Sequence, residues 1–295
     1  MAERKVIGID LGGTKIKFGV VAETGEILGR EILLPTESHR PSQEIVKTIA
    51  EGIELAVQSA NLSRDEILGI GIGSPGPLDV RKGVILKAPN LPTMNNFPLK
   101  KAVEEATGLP VKLNNDGNCF VLGEAFFGAG KDKDIVCGVT LGTGLGFGIV
   151  FNKKIYMGAT GTAAEIWCSP YGEKIFEEYG SARTVSRLFK ERTGERLTAI
   201  EIFRLAQQNN RAAIDTFHEF GSNLGKILAI LVNVLDPDIL VVGGSVSNSW
   251  EFFKISLTQN ILQHINEEPR KHLQVKHASL GDNAGLLGAA ALIFS

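Results

Sequence analysis

The stretch Asp10-Leu11-Gly12-Gly13-Thr14 follows directly on the apolar run Val6-Ile7-Gly8-Ile9 and decides how this chain folds. A short strand that ends in a carboxylate, two glycines and a hydroxyl builds a place for phosphate. Glycines let backbone N–H groups approach an anion closely, and Thr14 adds a hydroxyl donor. The carboxylate of Asp10 repels phosphate. Its natural role is therefore to hold a divalent cation, such as Mg²⁺, that bridges to the phosphates. The same residues are also compatible with a plain Gly-Gly hairpin turn.

A second run, Thr140-Leu141-Gly142-Thr143-Gly144, repeats this pattern about 130 residues further along the chain. In both places an apolar strand leads into a Leu-Gly turn with a threonine, and a strand containing Phe-Gly follows. A spacing this long excludes a solenoid repeat. We therefore expect two similar domains, each of which offers a glycine-rich turn to one nucleoside triphosphate.

Length and composition exclude several classes of protein. A chain of 295 residues with 43% hydrophobic residues is long enough for two domains with a core each. The net charge of −2 argues against a nucleic-acid or anionic membrane surface. No apolar run approaches the roughly 20 residues of a membrane helix, and the early first strand leaves no room for a signal peptide. Three cysteines are too few for a disulfide framework. We expect a cytoplasmic protein with no nucleic-acid and no membrane partner.

Hydrophobic periodicity predicts an α/β chain. Strand patterns open the chain, and Ile45, Ile49, Ile53 and Ala56 have the spacing of one helix face that begins near Pro41. The Pro-, Gly- and Asn-rich stretch 74–98 predicts a long loop, which in a compact domain usually carries function. Further helices and strands alternate up to a closing helix over 283–294. The order of these elements indicates two mixed sheets.

The segment Asn114-Asn115-Asp116-Gly117-Asn118 lies between a predicted strand and a predicted helix. One interpretation is a helix cap, in which Asn115 or Asp116 accepts the first free N–H groups of the helix. The other makes Asp116 a general base that accepts a hydroxyl proton, with Asn115 on neighbouring hydroxyls. Both can hold at once.

Four further segments have a chemical or a purely structural interpretation. Gly71-Ile72-Gly73-Ser74-Pro75-Gly76 formally matches a dinucleotide fingerprint, but Pro75 lacks an N–H and no acidic residue follows at the required distance, which favours a backbone loop beside a substrate pocket. Glu165 lies among uncharged residues and could bind sugar hydroxyls. Gly243-Gly244-Ser245 could hold a nucleotide by close backbone approach, or be a simple turn between a strand and a helix. Glu177 and Glu178 are, from local chemistry alone, ordinary solvated helix residues.

Six ordered blocks together resemble the ROK sugar kinases, a family within the actin-like ATPase superfamily. The blocks are Asp10-Leu11-Gly12-Gly13-Thr14-Lys15, Gly73-Ser74-Pro75-Gly76-Pro77-Leu78-Asp79, Asn115-Asp116-Gly117-Asn118 with Gly123-Glu124, Leu141-Gly142-Thr143-Gly144-Leu145-Gly146, Leu235-Asp236-Pro237-Asp238 with Gly243-Gly244, and Asn283-Ala284-Gly285-Leu286-Leu287-Gly288-Ala289-Ala290. The resemblance implies an α/β fold of two ribonuclease-H-like domains around a central cleft. It implies a small domain over 1–116, to which the C-terminal helix 283–295 returns, and a large domain over 117–282.

The resemblance also implies roles for individual residues. Asp116 looks like the catalytic base, and the sugar would be bound by Asn90, Asn115, Asp116, Glu165 and Glu177. The phosphates and Mg²⁺ would be bound by two further sets of residues, which are Asp10, Gly12, Gly13, Thr14 and Lys15, and Gly142, Thr143 and Gly144. Gly243 and Gly244 suit an adenosine. Relatives are commonly dimers, so we expect a homodimer.

The departures from the family pattern matter as well. Glu165 matches the glutamate of the family's Gly-Glu-x-Gly-His motif. In place of the Gly-His of that motif, this chain has Trp167-Cys168. The Cys-rich segment that binds structural zinc in relatives is shortened to 169–174 here, so we predict no zinc site. Polyphosphate-dependent glucokinases of the superfamily are similar in lacking that segment.

The sequence therefore predicts a kinase that transfers the γ-phosphate of ATP to the 6-hydroxyl of a hexose, with glucose first. The alternatives are a polyphosphate-dependent kinase, a kinase for fructose, mannose or an N-acetylhexosamine, and, from another class, a non-catalytic sugar sensor or a transcriptional regulator.

Overall fold

The computed structural model describes residues 3–295, which form two five-stranded sheets, two small hairpins and ten α-helices. The strands are β1 (Lys5–Leu11), β2 (Lys15–Ala22), β3 (Ile27–Pro35), β4 (Ile67–Ser74), β5 (Leu78–Asp79), β6 (Val84–Ile85), β7 (Val111–Asn115), β8 (Ile135–Leu141), β9 (Leu145–Phe151), β10 (Lys154–Ile155), β11 (Pro170–Tyr171), β12 (Lys174–Ile175), β13 (Ile239–Gly243) and β14 (Gln274–His277). The helices are α1 (Ser42–Ser59), α2 (Leu99–Thr107), α3 (Asp116–Phe126), α4 (Glu177–Gly180), α5 (Ala182–Thr193), α6 (Ala199–Gln207), α7 (Arg211–Leu235), α8 (Trp250–His264), α9 (Glu267–His272) and α10 (Ala284–Phe294).

The first sheet has the order β3-β2-β1-β4-β7. β1 is antiparallel to β2 and parallel to β4, and β4 is parallel to β7. The register pairs Asp10 with Gly73 and Gly73 with Asn114, and it pairs Ser74 with Asn115. Carboxyl ends of parallel strands form the edge at which open α/β sheets bind their ligands. The sheet therefore brings Asp10 and Asn115 to one such edge.

The second sheet has the order β10-β9-β8-β13-β14, and β13 is parallel to both β8 and β14. Gly243 at the end of β13 pairs with Thr140 near the end of β8. The second glycine-rich turn and the Gly243-Gly244 segment thus leave this sheet at the same edge.

Helix α1 confirms the prediction from periodicity. Ile45, Ile49, Ile53 and Ala56 are fully buried and belong to the core beneath the first sheet. The stretch 74–98 is mostly loop, as predicted, with only the short strands β5 and β6 and one turn of 3₁₀ helix. Helix α5 was not predicted from the sequence.

Helix α10 approaches the first sheet and helix α3 at glycines. A Cβ atom at Gly71 would lie 1.7 Å from the carbonyl oxygen of Ala289, and one at Gly8 would lie 2.4 Å from that of Leu286. A Cβ atom at Gly288 would lie 1.6 Å from the carbonyl oxygen of Cys119 in α3. Gly71 therefore serves helix packing, which accounts for this glycine of the fingerprint-like stretch without any dinucleotide.

The chain divides into two compact units. One comprises the residues up to Asp132 with Val150–Ala163 and Ser279–Ser295, and the other comprises Lys133–Ile149 with Ala164–Ala278. This division differs from the boundary after residue 116 that the resemblance implies. Helix α3 stays with the first unit because its glycines pack against α10, as a Cβ atom at Gly123 would lie 2.5 Å from the carbonyl oxygen of Ala284. Both divisions give residues 283–295 to the first unit.

No helix within residues 3–295 is long and apolar enough to cross a membrane.

We expect Gly288→Ala to lower the free energy of unfolding by about 3 kcal/mol, because the added methyl group overlaps the backbone of α3 and forces the two helices apart. Glu105→Ala, at an exposed position of α2, is the control and should change stability by less than about 0.5 kcal/mol. Chemical denaturation of the three proteins measures both values. A Gly288→Ala protein as stable as the parent would contradict the close crossing.

Candidate active site

The first glycine-rich turn joins β1 to β2 and packs against the loop that carries Asn90. The N–H group of Gly12 donates to the carbonyl oxygen of Lys15 over 3.0 Å. Thr36 Oγ1 donates to the carbonyl oxygen of Gly12 over 2.6 Å. A Cβ atom at Gly13 would lie 2.7 Å from the carbonyl oxygen of Asn90, so only glycine fits there. The turn is thus held from two sides, and Thr14 and Lys15 at its tip are exposed.

Asp10 lies at the base of this turn and beside the first residues of α10. A Cβ atom at Gly285 would lie 3.1 Å from Asp10 Oδ2. Burial raises the pKa of the Asp10 carboxyl, and the positive charges of Lys17 and Lys15 lower it in part. A buried carboxylate gains most from a cation that compensates its charge.

The surroundings of Asp10 fit Mg²⁺ that is bound mainly through a nucleotide. Mg²⁺ usually takes one or two protein carboxylates together with phosphate oxygens and water. Among residues 3–295 no group of three or more His, Cys, Asp and Glu side chains could hold a metal on its own. One carboxylate next to a glycine-rich turn suits a cation that arrives with its phosphates.

The segment 114–118 confirms the helix-cap interpretation. Asn115 Oδ1 accepts from the N–H group of Gly117 over 2.9 Å, and Asp116 Oδ1 accepts from the same N–H group over 2.8 Å. Asn114 Oδ1 in turn accepts from the N–H group of Asn115 and from Asn118 Nδ2, over 2.8 and 3.0 Å. These bonds fix the direction of the Asp116 carboxyl at the start of α3. Such a fixed carboxyl can also act as a base.

The carboxylates of Asp10 and Asp116 both affect the pKa of one buried thiol, Cys119. Burial raises the pKa of Cys119 well above its usual value, and the negative charges of Asp116 and Asp10 raise it further. A Cβ atom at Gly73 would lie 3.2 Å from Cys119 Sγ. Since electrostatic effects of this kind fall off with distance, both carboxylates lie near the Cys119 thiol.

The second glycine-rich turn, over 142–144, is braced by Glu177. The N–H group of Gly142 donates to the carbonyl oxygen of Gly144 over 3.0 Å. Glu177 Oε2 accepts from the N–H group of Leu145 over 3.3 Å. A Cβ atom at Gly144 would lie 2.5 Å from the same Glu177 oxygen. The interpretation of Glu177 as an ordinary solvated helix residue is therefore wrong. The side chain of Glu178 is exposed and accepts from the N–H group of Ile175.

A cavity of about 440 Å³ adjoins the Gly243-Gly244 segment within the second unit. Gly244 has a φ of 86°, and a Cβ atom on it would lie 2.6 Å from the backbone of Leu141, so the turn requires glycine. A Cβ atom at Gly142 would lie 4.0 Å from Ser245 Oγ, so the second glycine-rich turn contacts the same segment. The cavity is lined by residues of α5, α6 and the segment after Gly244, including Ala182, Ile200, Phe203, Arg204, Val246 and Asn248.

Glu165 lies on a single 3₁₀ turn together with Trp167. Trp167 Nε1 donates to Glu165 Oε2 over 2.8 Å, and both side chains are exposed. The neighbouring segment 170–175 forms the hairpin of β11 and β12. Tyr171 packs edge-on against Phe176 and Tyr179, with ring centroids 6.0 and 5.3 Å apart. Aromatic contacts therefore hold the segment for which the sequence predicts no zinc site.

Comparison with known proteins now gives the family. A model of the ROK family matches residues 6–295. A glucokinase of Thermotoga maritima is 31% identical, over 99% of this chain and 98% of its own length. A ROK family glucokinase from Streptomyces griseus, solved in complex with glucose and AMPPNP, is 34% identical, with a TM-score of 0.80 and 98% of each chain covered. The chain belongs to the ROK family. Its two units have the α/β fold of the actin-like ATPase superfamily.

Not every similar protein is a kinase by name. The xylose repressor of Caldicellulosiruptor bescii is 29% identical over 98% of this chain, and the match covers 78% of the repressor. Family membership alone therefore leaves both a kinase and a regulator as functions to weigh.

The structure brings most of the predicted residues together within each unit. In the first unit Asp10 and the turn after it, Asn90, Asn115 and Asp116 lie at or beside the carboxyl edge of the sheet. In the second unit the turn 142–144 is joined by Glu177 and by the Gly243-Gly244 segment. Of the residues that line the 440 Å³ cavity, Ser245 belongs to the predicted Gly243-Gly244-Ser245 segment, and the others were not predicted. Their only signal is the apolar spacing of Ile202 and Ala206, which predicts α6 but not which of its side chains face a cavity.

The three cysteines give a test of these environments. Burial raises the pKa of Cys137 to about 12 and that of Cys119 well above its usual value, whereas Cys168 is exposed. Because the thiolate is the reactive species, we expect one thiol per chain to react with Ellman's reagent in the native protein and all three in guanidinium chloride. Cys168→Ser should remove the native reaction. Native labelling of Cys137 or Cys119 would contradict the assigned burial.

Proposed function

We propose that this protein is a sugar kinase that transfers the γ-phosphate of ATP to the 6-hydroxyl of a hexose, with glucose as the first candidate. The placement of Asp116 supports this proposal most directly. It lies at the start of α3, next to Asn115, in the unit that also holds Asp10 and the first glycine-rich turn. An aspartate base beside a phosphate-binding turn is the arrangement that phosphoryl transfer to an alcohol needs.

In this mechanism Asp116 accepts the proton of the attacking hydroxyl. Its direction is set by the hydrogen bond from the N–H group of Gly117. Asn115 and Asn90 are proposed to bind neighbouring hydroxyls. A positioned base typically contributes about 10²–10⁴-fold to the rate. Glu165 and Glu177 are proposed as further sugar ligands from the second unit.

The phosphates are bound by backbone N–H groups of the two glycine-rich turns and by the hydroxyls of Thr14 and Thr143. Asp10 would hold Mg²⁺, and a divalent cation bound there would supply positive charge next to the transferred phosphoryl group. Donors that are fixed before the reaction stabilise that charge without reorganisation. The hydrogen bonds of Gly12 and Gly142 within their own turns supply this preorganisation.

The adenosine of ATP fits the cavity next to Gly243 and Gly244. Its volume of about 440 Å³ lies within the range of small-ligand pockets. Phe203, Ile200 and Val246 offer apolar contacts for the base, and Asn248 and Arg204 offer polar ones. This cavity favours ATP over polyphosphate, which has no base to bury. A homodimer and a cytoplasmic location belong to the same proposal.

Asp116→Asn tests the role of the base. Asparagine keeps the shape of the side chain and its bond from Gly117 but cannot take a proton, so we expect kcat to fall about 10²–10⁴-fold with a smaller change in the KM for sugar. A coupled assay for ADP formation measures both. Asp65→Asn, at an exposed position in a different part of the first unit, should leave both values unchanged. Near-normal turnover of Asp116→Asn would show that Asp116 is not the base.

A substrate panel tests donor, acceptor and metal together. Glucose, mannose, fructose, N-acetylglucosamine and N-acetylmannosamine are offered with ATP or with polyphosphate, with Mg²⁺ and with excess EDTA. We expect ATP- and Mg²⁺-dependent phosphorylation, highest with glucose, and no transfer in EDTA. Binding of a hexose without transfer from either donor would support the sensor or regulator instead.

A further inference from the structure

The turn 164–168 differs chemically from the family pattern at two positions, and the structure shows what one of them does. Trp167 and Cys168 stand where the resemblance places Gly-His. Trp167 Nε1 donates to Glu165 Oε2 over 2.8 Å. The indole therefore binds the carboxylate that the proposed function assigns to the sugar.

This bond gives one oxygen of the Glu165 carboxylate a donor within the same turn. The backbone of the turn is fixed by hydrogen bonds from the N–H group of Ile166 to the carbonyl oxygen of Ala164, 2.7 Å, and from that of Ser169 to the carbonyl oxygen of Ile166, 2.9 Å. An indole N–H is a donor only, on a rigid ring. No Lys, Arg or His ion pair with Glu165 occurs among the residues that the structure describes. A carboxylate with about four acceptor sites keeps most of them for hydroxyl donors.

The ring of Trp167 remains available to a ligand. Its side chain is 42% exposed although one edge is bonded to Glu165. The face of an aromatic ring carries partial negative charge, and the C–H groups on one face of a pyranose carry partial positive charge. A sugar can thus place hydroxyls on Glu165 and its apolar face on the indole.

We propose that Trp167 is a specificity-determining residue of the sugar site, which orients Glu165 through Nε1 and stacks on the apolar face of a pyranose hexose. The preferred acceptor is therefore a sugar with an unbroken C–H face, such as glucose in its ring form with all ring hydroxyls equatorial. This inference rests on the proposed function, since it takes Glu165 as a sugar ligand.

Tryptophan fluorescence tests the contact without any phosphoryl transfer. The chain has two tryptophans, and Trp250 packs against Phe253 and His277, with ring centroids 5.5 and 5.6 Å apart. In Trp250→Phe all tryptophan fluorescence comes from Trp167. We expect that emission to titrate with glucose at the concentration that half-saturates the enzyme, and the response to be absent in Trp167→Phe. Unchanged emission of Trp250→Phe at a glucose concentration that saturates turnover would overturn the proposal.

Kinetics of two variants separate the two roles of the indole. Trp167→Phe keeps an aromatic face and loses the Nε1 donor, whereas Trp167→Gly loses both. We expect the KM for glucose to rise about threefold in the first and about tenfold or more in the second, with kcat within about threefold of the parent, because the lost contacts bind ground state and transition state alike. A KM of Trp167→Gly within twofold of the parent would refute the assignment. Since Trp167 is exposed, thermal melts of both variants should match the parent.

Failure of this inference and failure of the proposed function give different results. Normal hexose phosphorylation by Trp167→Gly would support the proposed kinase function and refute the role of Trp167. Sugar-dependent emission of Trp167 without any phosphorylation would support the contact between Trp167 and the sugar and refute the proposed kinase function. Absence of both refutes both.

Discussion

The close crossing of α10 over α3 and over strands β1 and β4 fixes the geometry of the first unit. Gly288 lies against the backbone of Cys119, and Gly71 lies against that of Ala289, with no room for a side chain between them. The same helix places Gly285 beside the carboxylate of Asp10. Because α3 begins at Asp116, one helix sets the position of both carboxylates. A well-packed interior transmits displacements, so a shift of α10 would move the carboxylates of Asp10 and Asp116 together.

Glu124 adds an electrostatic constraint to this crossing. It is fully buried and accepts from the N–H groups of Ala129, Ser279 and Leu280 over 2.8, 2.9 and 2.9 Å. A buried carboxylate is stable only with such donors. The two segments that it binds lie next to the points at which the chain leaves the first unit, after Asp132, and returns to it, at Ser279. One side chain of α3 therefore ties two of the four points at which the chain changes unit to the helix that begins at Asp116.

Local signals predicted the elements and the turns, but not the contacts between them. Asp10 with its glycines, the cap at Asn115 and the buried face of α1 follow from short-range chemistry, and the structure confirms the cap and the buried face. Glu177 braces the turn 142–144, which lies over 30 residues earlier in the chain. This contact depends on the three-dimensional fold and could not be predicted from local sequence. Helix α5 was missed because its start is marked by Ser181 and Thr184 rather than by the commoner Ser-x-x-Glu pattern.

The half-buried position of Asp10 links the stability of the fold to its proposed chemistry. Burial raises the pKa of this carboxyl, so its ionised form destabilises the folded state at every pH above that pKa, and protonation relieves the cost only as the pH falls through it. A divalent cation brought by the phosphates would compensate the same charge at neutral pH. The binding energy of the nucleotide and its metal would then offset a cost that is built into the fold of this unit. Such compensation gives a physical reason for a half-buried acid at the end of β1, where an apolar side chain would carry no desolvation cost.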